Sequence, residues 1–133
     1  MIRLRHCLSI VAVLALVGLS GCSLFTIAID ESDFGSIQSL DVGDLLVIRL
    51  QGNATTGYEW VRVEPDTLAE SPIEIVKESD YQALGCQLVG APGEFIFRYR
   101  AMRPGTVVLG FEHRRPWDLE DVVDTYSVTV WVR

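Results

Sequence analysis

Three runs in the second half of the chain alternate apolar and polar residues with a period of two, and that period leaves little choice of fold. In EFIFRYRAM, residues 94–102, Phe95, Phe97 and Tyr99 share one face. In TVVLGFEHR, residues 106–114, Val107, Leu109 and Phe111 do so, and in TYSVTVWVR, residues 125–133, Tyr126, Val128, Val130 and Val132 do. Successive side chains of a strand point to opposite faces, whereas a helix repeats every ~3.6 residues, so each run reads as a half-buried strand. DLLVIRLQ, residues 44–51, is rich in branched side chains and bounded by Gly43 and Gly52. YEWVRVE, residues 58–64, sets Tyr58, Trp60 and Arg62 on one side, and IEIVKESDY after Pro72 is a weaker strand candidate. Only DTLAE around Thr67 leaves room for a helical turn. The prediction is an all-β sandwich of about seven short antiparallel strands separated by Gly, Pro and Asp turns. A β-barrel is the alternative that alternation does not separate. With no repeat and no second biased segment, function has to sit on loops or on an exposed sheet face.

The chain opens with MIRLRHCLSIVAVLALVGLSGC, in which Arg3 and Arg5 precede an apolar run from Leu8 to Val17 and then small residues. That is the order of a secretory signal, and the run is short for a bilayer span. Leu19-Ser20-Gly21-Cys22 resembles the bacterial lipobox, where the signal is cut before a cysteine that becomes the lipid-bearing N-terminus; an uncleaved anchor is the other reading. The expected organisation is a lipoprotein signal peptide over residues 1–21, a lipidated N-terminus with a tether or edge strand over 22–35, and one domain over 36–133. Its expected place is the outer side of the cytoplasmic membrane, facing the periplasm, or the outer membrane of a cell that has two. Loss of Arg3 and Arg5 takes the formal net charge from −7 to −9. Such a surface argues against nucleic acid, which needs stripes of lysine and arginine.

The titratable and nucleophilic residues exclude more than they suggest. Cys7 leaves with the signal and Cys22 is the lipid site, so Cys86 has no partner for a disulfide and no companions for a cysteine-rich zinc site. Without a motif around it, Cys86 reads as a partly buried structural thiol. His113 has no nucleophile or orienting carboxylate at a recognisable spacing and reads as solvated. Asp118, Glu120, Asp121 and Asp124 lack the alternating ligands, central glycine and final glutamate of a calcium loop, and read as a solvated loop. Neither a metal nor a cofactor is expected, and the chain is expected to act as a monomer.

Three loops carry more specific chemistry than turns require. In Gly52-Asn53-Ala54-Thr55-Thr56-Gly57-Tyr58 the two threonines are stiff at χ1 and Gly57 permits a backbone conformation that other residues resist, so the loop's shape is largely fixed in advance. Gly90-Ala91-Pro92-Gly93, ahead of the Phe95 strand, allows close approach of backbone to another surface, although alone it reads as a turn. No phosphate site is implied, since lysine and a following helix are missing. In Arg114-Arg115-Pro116-Trp117 a tryptophan stands in a polar loop, either as a flap over the end of the sandwich or as a binding anchor.

Read together, NATTGYEW, GAPG and RPW resemble, in order and spacing, the three loops of the chagasin family of cysteine-peptidase inhibitors. That family has a first loop N-P-T-T-G-Y/F-x-W, a glycine-rich second loop and an R-P-W/F third loop. The resemblance spans residues 36–133. It implies an immunoglobulin-like sandwich whose loops gather at one end and enter the cleft of papain-like cysteine peptidases, blocking them reversibly without covalent chemistry. On this pattern Asn53, Ala54, Thr55, Thr56 and Gly57 would lie over the catalytic centre. Gly90, Ala91, Pro92 and Gly93 would run along one side, and Arg115, Pro116 and Trp117 would pack on the other. Asn53 and Tyr58 would hold the first loop in shape, with Trp60 in or beside the core. Ala54 departs from the family's usual proline. The protein would then not be an enzyme; the competing expectation is an envelope binding or adhesion module that turns the same loops to a non-peptidase partner.

Overall fold

A computed structural model describes residues 24–85 and 90–133. The alternating runs become strands of two sheets. Among the described residues there are eight: β1 (Thr26–Ile29), β2 (Ile37–Leu40), β3 (Leu45–Gly52), β4 (Glu59–Glu64), β5 (Ile73–Ala83), β6 (Gly93–Ala101), β7 (Gly105–Arg114) and β8 (Val122–Val132). One sheet runs β1-β3-β6-β5 and the other β2-β8-β7-β4. The two enclose one core and form an immunoglobulin-like sandwich. Its centre is the set of inward residues that the alternation names: Phe95, Phe97, Tyr99, Leu109, Phe111, Tyr126, Val128, Val130 and Val132 are all buried, while Val107 packs at the margin. Burying side chains of this size stabilises the fold by about 1.5–3 kcal/mol each relative to exposure.

Three details differ from the sequence reading. There are eight strands rather than about seven, and two pairings are parallel: Thr26–Ile29 lies beside Leu45–Ile48, and Ile37–Leu40 beside Thr129–Val132. The four-residue β1 and β2 are too short to show a period, and the chain crosses from one sheet edge to the other between them. Second, DTLAE holds only a turn closed by the Ser71 N–H on the Leu68 carbonyl at 3.1 Å. The 3₁₀ turns form instead at Glu31–Asp33 and Ala54–Thr56, each headed by an Asx residue, Asp30 or Asn53, whose side chain caps it. Third, IEIVKESDY is a strand as expected but a longer one, an eleven-residue edge strand. Its inward–outward pattern is blurred by irregularities between Ile75 and Asp80, where Ser79 has φ 56°.

Because strands alternate in direction, the connections sort to two ends. The β1–β2, β3–β4, β5–β6 and β7–β8 connections share one, the loop end. At the far end the chain enters through Leu24 and Phe25, which lie beside the β2–β3 turn, where Phe25 donates its N–H to the Asp44 carboxylate at 3.0 Å. Cys7, Cys22 and Cys86 fall outside the described residues, as do the leader and lipid site.

Candidate functional site

Register brings the three loops together. Gly52 pairs with Gly93 across β3 and β6, Glu59 with Arg114 across β4 and β7, and Arg114 with Val122 across β7 and β8. Twelve of the thirteen residues expected at the site therefore stand on connections at the loop end, and the thirteenth, Gly93, opens β6 there.

The first loop is tied down by its own side chains. Asn53 is extended, and its Oδ1 accepts from the Thr55 N–H at 3.0 Å and the Thr55 hydroxyl at 2.6 Å. The Thr56 hydroxyl donates back to the Asn53 carbonyl at 2.7 Å. Gly57 closes the turn in the left-handed region, φ 81° and ψ 0°, where a side chain would be strained. Ala54 packs inward against the core, while Thr55 and Thr56 are exposed at the tip.

Both other loops are laced to this one. Asn53 Nδ2 donates to the Gly90 carbonyl at 3.1 Å, joining the second loop. Gly93 is buried rather than presented: a Cβ there would run into the Tyr81 ring, which itself packs on Phe95. On the other side the Tyr58 hydroxyl donates to Asp121 at 2.5 Å, Arg115 donates to the same carboxylate at 3.1 Å, and the Arg115 guanidinium lies over the Tyr58 ring at 4.7 Å. That hydrogen bond raises the Tyr58 phenol above its ordinary pKa, so it stays a donor. Arg114 is buried and folds the third loop from within, bonding Glu112 at 3.0 Å and the Arg115 and Pro116 carbonyls at 3.3 Å. Trp117 is left 74% exposed, and a Cβ at Gly57 would lie 3.5 Å from its ring. With this exposure it does not act as a flap over the sandwich.

Two residues set aside in the sequence prove structural. His113 is not solvated: its ring stacks on Trp60 at 4.9 Å and 12° and meets Tyr58 edge-on at 5.8 Å, directly under the first loop. Trp60 is buried and donates its indole N–H to the Gln51 carbonyl at 2.8 Å. His113 Nε2 is buried without a partner among the described residues, and burial lowers the imidazole's pKa despite the opposing charge of Asp124. Asp121, read as a member of a solvated acidic loop, is instead the clasp between first and third loops. No local pattern marks either residue, because each acts across strands. The cluster offers shape, exposed threonines and an exposed indole; a nucleophile beside a base is not among its described residues.

Residues 39–130, which include all three loops, match the family described as chagasin family peptidase inhibitor I42. Chagasin from Trypanosoma cruzi is 34% identical over 85 residues, covering 62% of this chain and 76% of that protein. Among solved structures, the cysteine protease inhibitor EhICP2 from Entamoeba histolytica has a TM-score of 0.72 at 20% identity, covering 85% of this chain and 100% of that one. Amebosin has a TM-score of 0.61 at 22% identity, covering 83% and 98%. PbICP-C, solved in complex with falcipain-2, has a TM-score of 0.54 at 26% identity, covering 81% and 98%. The structural likeness carries the fold and the sequence match carries the kinship: this chain belongs to the chagasin family of peptidase inhibitors.

Proposed function

We propose that the protein inhibits papain-like cysteine peptidases reversibly and without covalent chemistry, by entering the active-site cleft with its loop end. The observation that carries this is the lacing of three loops into one body whose exposed tip, Thr55, Thr56 and Trp117, holds no reactive group. A thiolate enzyme needs a carbonyl in attack geometry, and a blocker needs only to deny it one. Loops ordered beforehand avoid much of the cost of about 0.5–1.5 kcal/mol per immobilised long side chain. In this reading Asn53 to Gly57 cover the catalytic centre, Gly90 to Pro92 follow one wall, Arg115 to Trp117 rest on the other, and the protein performs no catalysis of its own; Tyr58 and buried Gly93 brace the loops from within. Support comes from the family and from PbICP-C, which was solved with falcipain-2 bound.

The test uses the form beginning at Ser23, which contains every described strand. Mixed with papain at stoichiometric concentration it abolishes activity, dilution restores it, and Cys86→Ala changes neither. Undiminished activity of papain and of several related enzymes overturns the reading in favour of a binding module with another partner. The lipobox supports attachment to a membrane through lipid on Cys22; labelled fatty acid should then mark the full chain and not Cys22→Ser, and recovery of unlabelled full chain in the soluble fraction counts against it.

A further inference from the structure

Four connections, not three, meet at the loop end. The fourth is the 3₁₀ turn Glu31–Asp33 with Phe34, which carries β1 across to β2. It is tightly tied: Asp30 accepts from the Ser32 N–H at 2.8 Å and its hydroxyl at 2.6 Å, and Asp33 accepts from the Asp30 N–H at 3.1 Å. Glu31 reaches the other way and accepts from the Gln51 N–H, at the root of the first loop. Beside this turn lies a cavity of about 310 Å³ lined by Glu31, Phe34, Trp60, Asp124, Thr125 and Tyr126.

The lining has the parts of a cation site. Glu31 keeps a second carboxylate oxygen, and Asp124 accepts from the Thr125 N–H at 2.8 Å through one oxygen alone. Among the described residues no ion pair involves Asp30, Glu31, Asp33 or Asp124. Independently of those acids, Tyr126 is 2% exposed and its hydroxyl has no hydrogen-bond partner among the described residues. A buried hydroxyl left unpaired costs about 1–3 kcal/mol, so it marks a place where a partner would be welcome. Burial and then the charges of Asp33, Asp30 and Glu31 hold the phenol well above its ordinary pKa, so its oxygen remains a neutral acceptor. Phe34 stands 59% exposed, edge-on to Tyr126 at 6.2 Å, and supplies apolar surface at the mouth.

Carboxylates beside aromatic walls and a spare acceptor suit a donor-rich cation on an aliphatic stem. The volume is at the small end of ligand pockets, about 300–1,000 Å³, and fits one side chain better than a peptide. We propose that this cavity receives a lysine or arginine side chain from the rim of the peptidase seated on the three loops, so that the β1–β2 turn is a fourth contact that selects among peptidases. The proposal rests on the inhibitor reading for its occupant, but not for the site.

Two measurements separate these. In NMR titration of the form from Ser23, n-butylguanidinium should shift the Trp60 indole, Phe34 and Tyr126 signals saturably while neutral n-butylurea does not. E31Q/D124N, which keeps an acceptor for both the Gln51 and the Thr125 N–H, should bind n-butylguanidinium at least tenfold more weakly with an unchanged melting temperature. Equal shifts from the urea, or undiminished binding by the double variant, overturn the site. Against a panel of papain-like peptidases, the double variant should lose at least tenfold in inhibition towards some members and little towards others. Inhibition equal to the unmodified protein's for every member overturns the peptidase side chain as occupant. Failure of the unmodified protein to inhibit any member, with n-butylguanidinium still bound, overturns the inhibitor reading and that occupant together while the cation site stands.

Discussion

Ala54→Pro should tighten inhibition, and the structure says by how much. Asn53 sits at φ −129°, ψ 102°, the extended region that a residue before proline prefers. Ala54 is the first residue of the 3₁₀ turn, where proline's missing N–H costs no helical bond and its fixed φ suits the turn. A proline accepted without strain gains about 0.4–1 kcal/mol by narrowing the unbound ensemble. Asn53 and Thr56 already close this turn through their side chains, so the gain should sit near the lower bound. That is roughly a twofold fall in the inhibition constant and no more than about fivefold, since 1.36 kcal/mol is tenfold. The assay is a titration of papain with each form, alongside thermal melts. The melting temperature should rise slightly. Equal or weaker inhibition by an Ala54→Pro protein whose melting temperature is not lowered would falsify the argument that this position limits pre-organisation. A gain beyond tenfold would refute it from the other side, by showing that the free loop is not held as described.

Asn53→Ala removes the cap and the bridge to Gly90, and should cost about 0.5–2 kcal/mol in chemical denaturation and weaken inhibition; Asn53→Asp keeps the cap and loses only the bridge, so the two bonds can be told apart. Trp117→Ala should leave stability within about 0.5 kcal/mol, because the indole is exposed, yet raise the inhibition constant roughly thirtyfold, the equivalent of a hot spot of about 2 kcal/mol. An unchanged constant removes Trp117 from the interface. His113 has a folded pKa below its unfolded value of 6.5, so the unfolded chain takes up the proton first as pH falls. Its contribution is complete above pH 6.5 and declines below it until the folded-state pKa is passed; urea melts from pH 8 to 5 should show that slope in the unmodified protein and a shallower one in His113→Phe.

The core was legible because its burial is periodic. Phe95, Phe97 and Tyr99, or Tyr126 to Val132, announce their inward face, and a sandwich follows from several such runs. Strands β1 and β2 were not, since four residues hold too few periods, and their parallel pairing is fixed by partners far along the chain. At the site, glycines and threonines showed which loops were special, and the family resemblance supplied their order. What holds those loops was hidden. Asp121 meets Tyr58 across 63 positions, Asn53 meets Gly90 across 37, and His113 lies under Trp60 through strand pairing. Arg114, part of the polar third loop in sequence, is buried and holds that loop from within. Side chains that act across strands leave no local pattern, so sequence shows what is presented and not what braces it.

The parallel pairing of β1 with β3 also sets a direction. Thr26 lies beside Leu45, the residue of β3 farthest from the first loop, so the chain enters at the pole opposite the tip. From Cys22 to Thr26 the backbone spans at most about 14 Å, and the eight residues of β3 rise about 27 Å. A lipid on Cys22 would let Thr55 and Thr56 stand up to about 40 Å above the bilayer, facing outward like a sentry's pike. Enzymes arriving from solution would meet the tip, and those lying flat on the same membrane would pass beneath it. Energy transfer from a dye at Thr56→Cys, in a chain also bearing Cys86→Ala, to a bilayer acceptor measures that height, and a contact distance would show the molecule lying down instead.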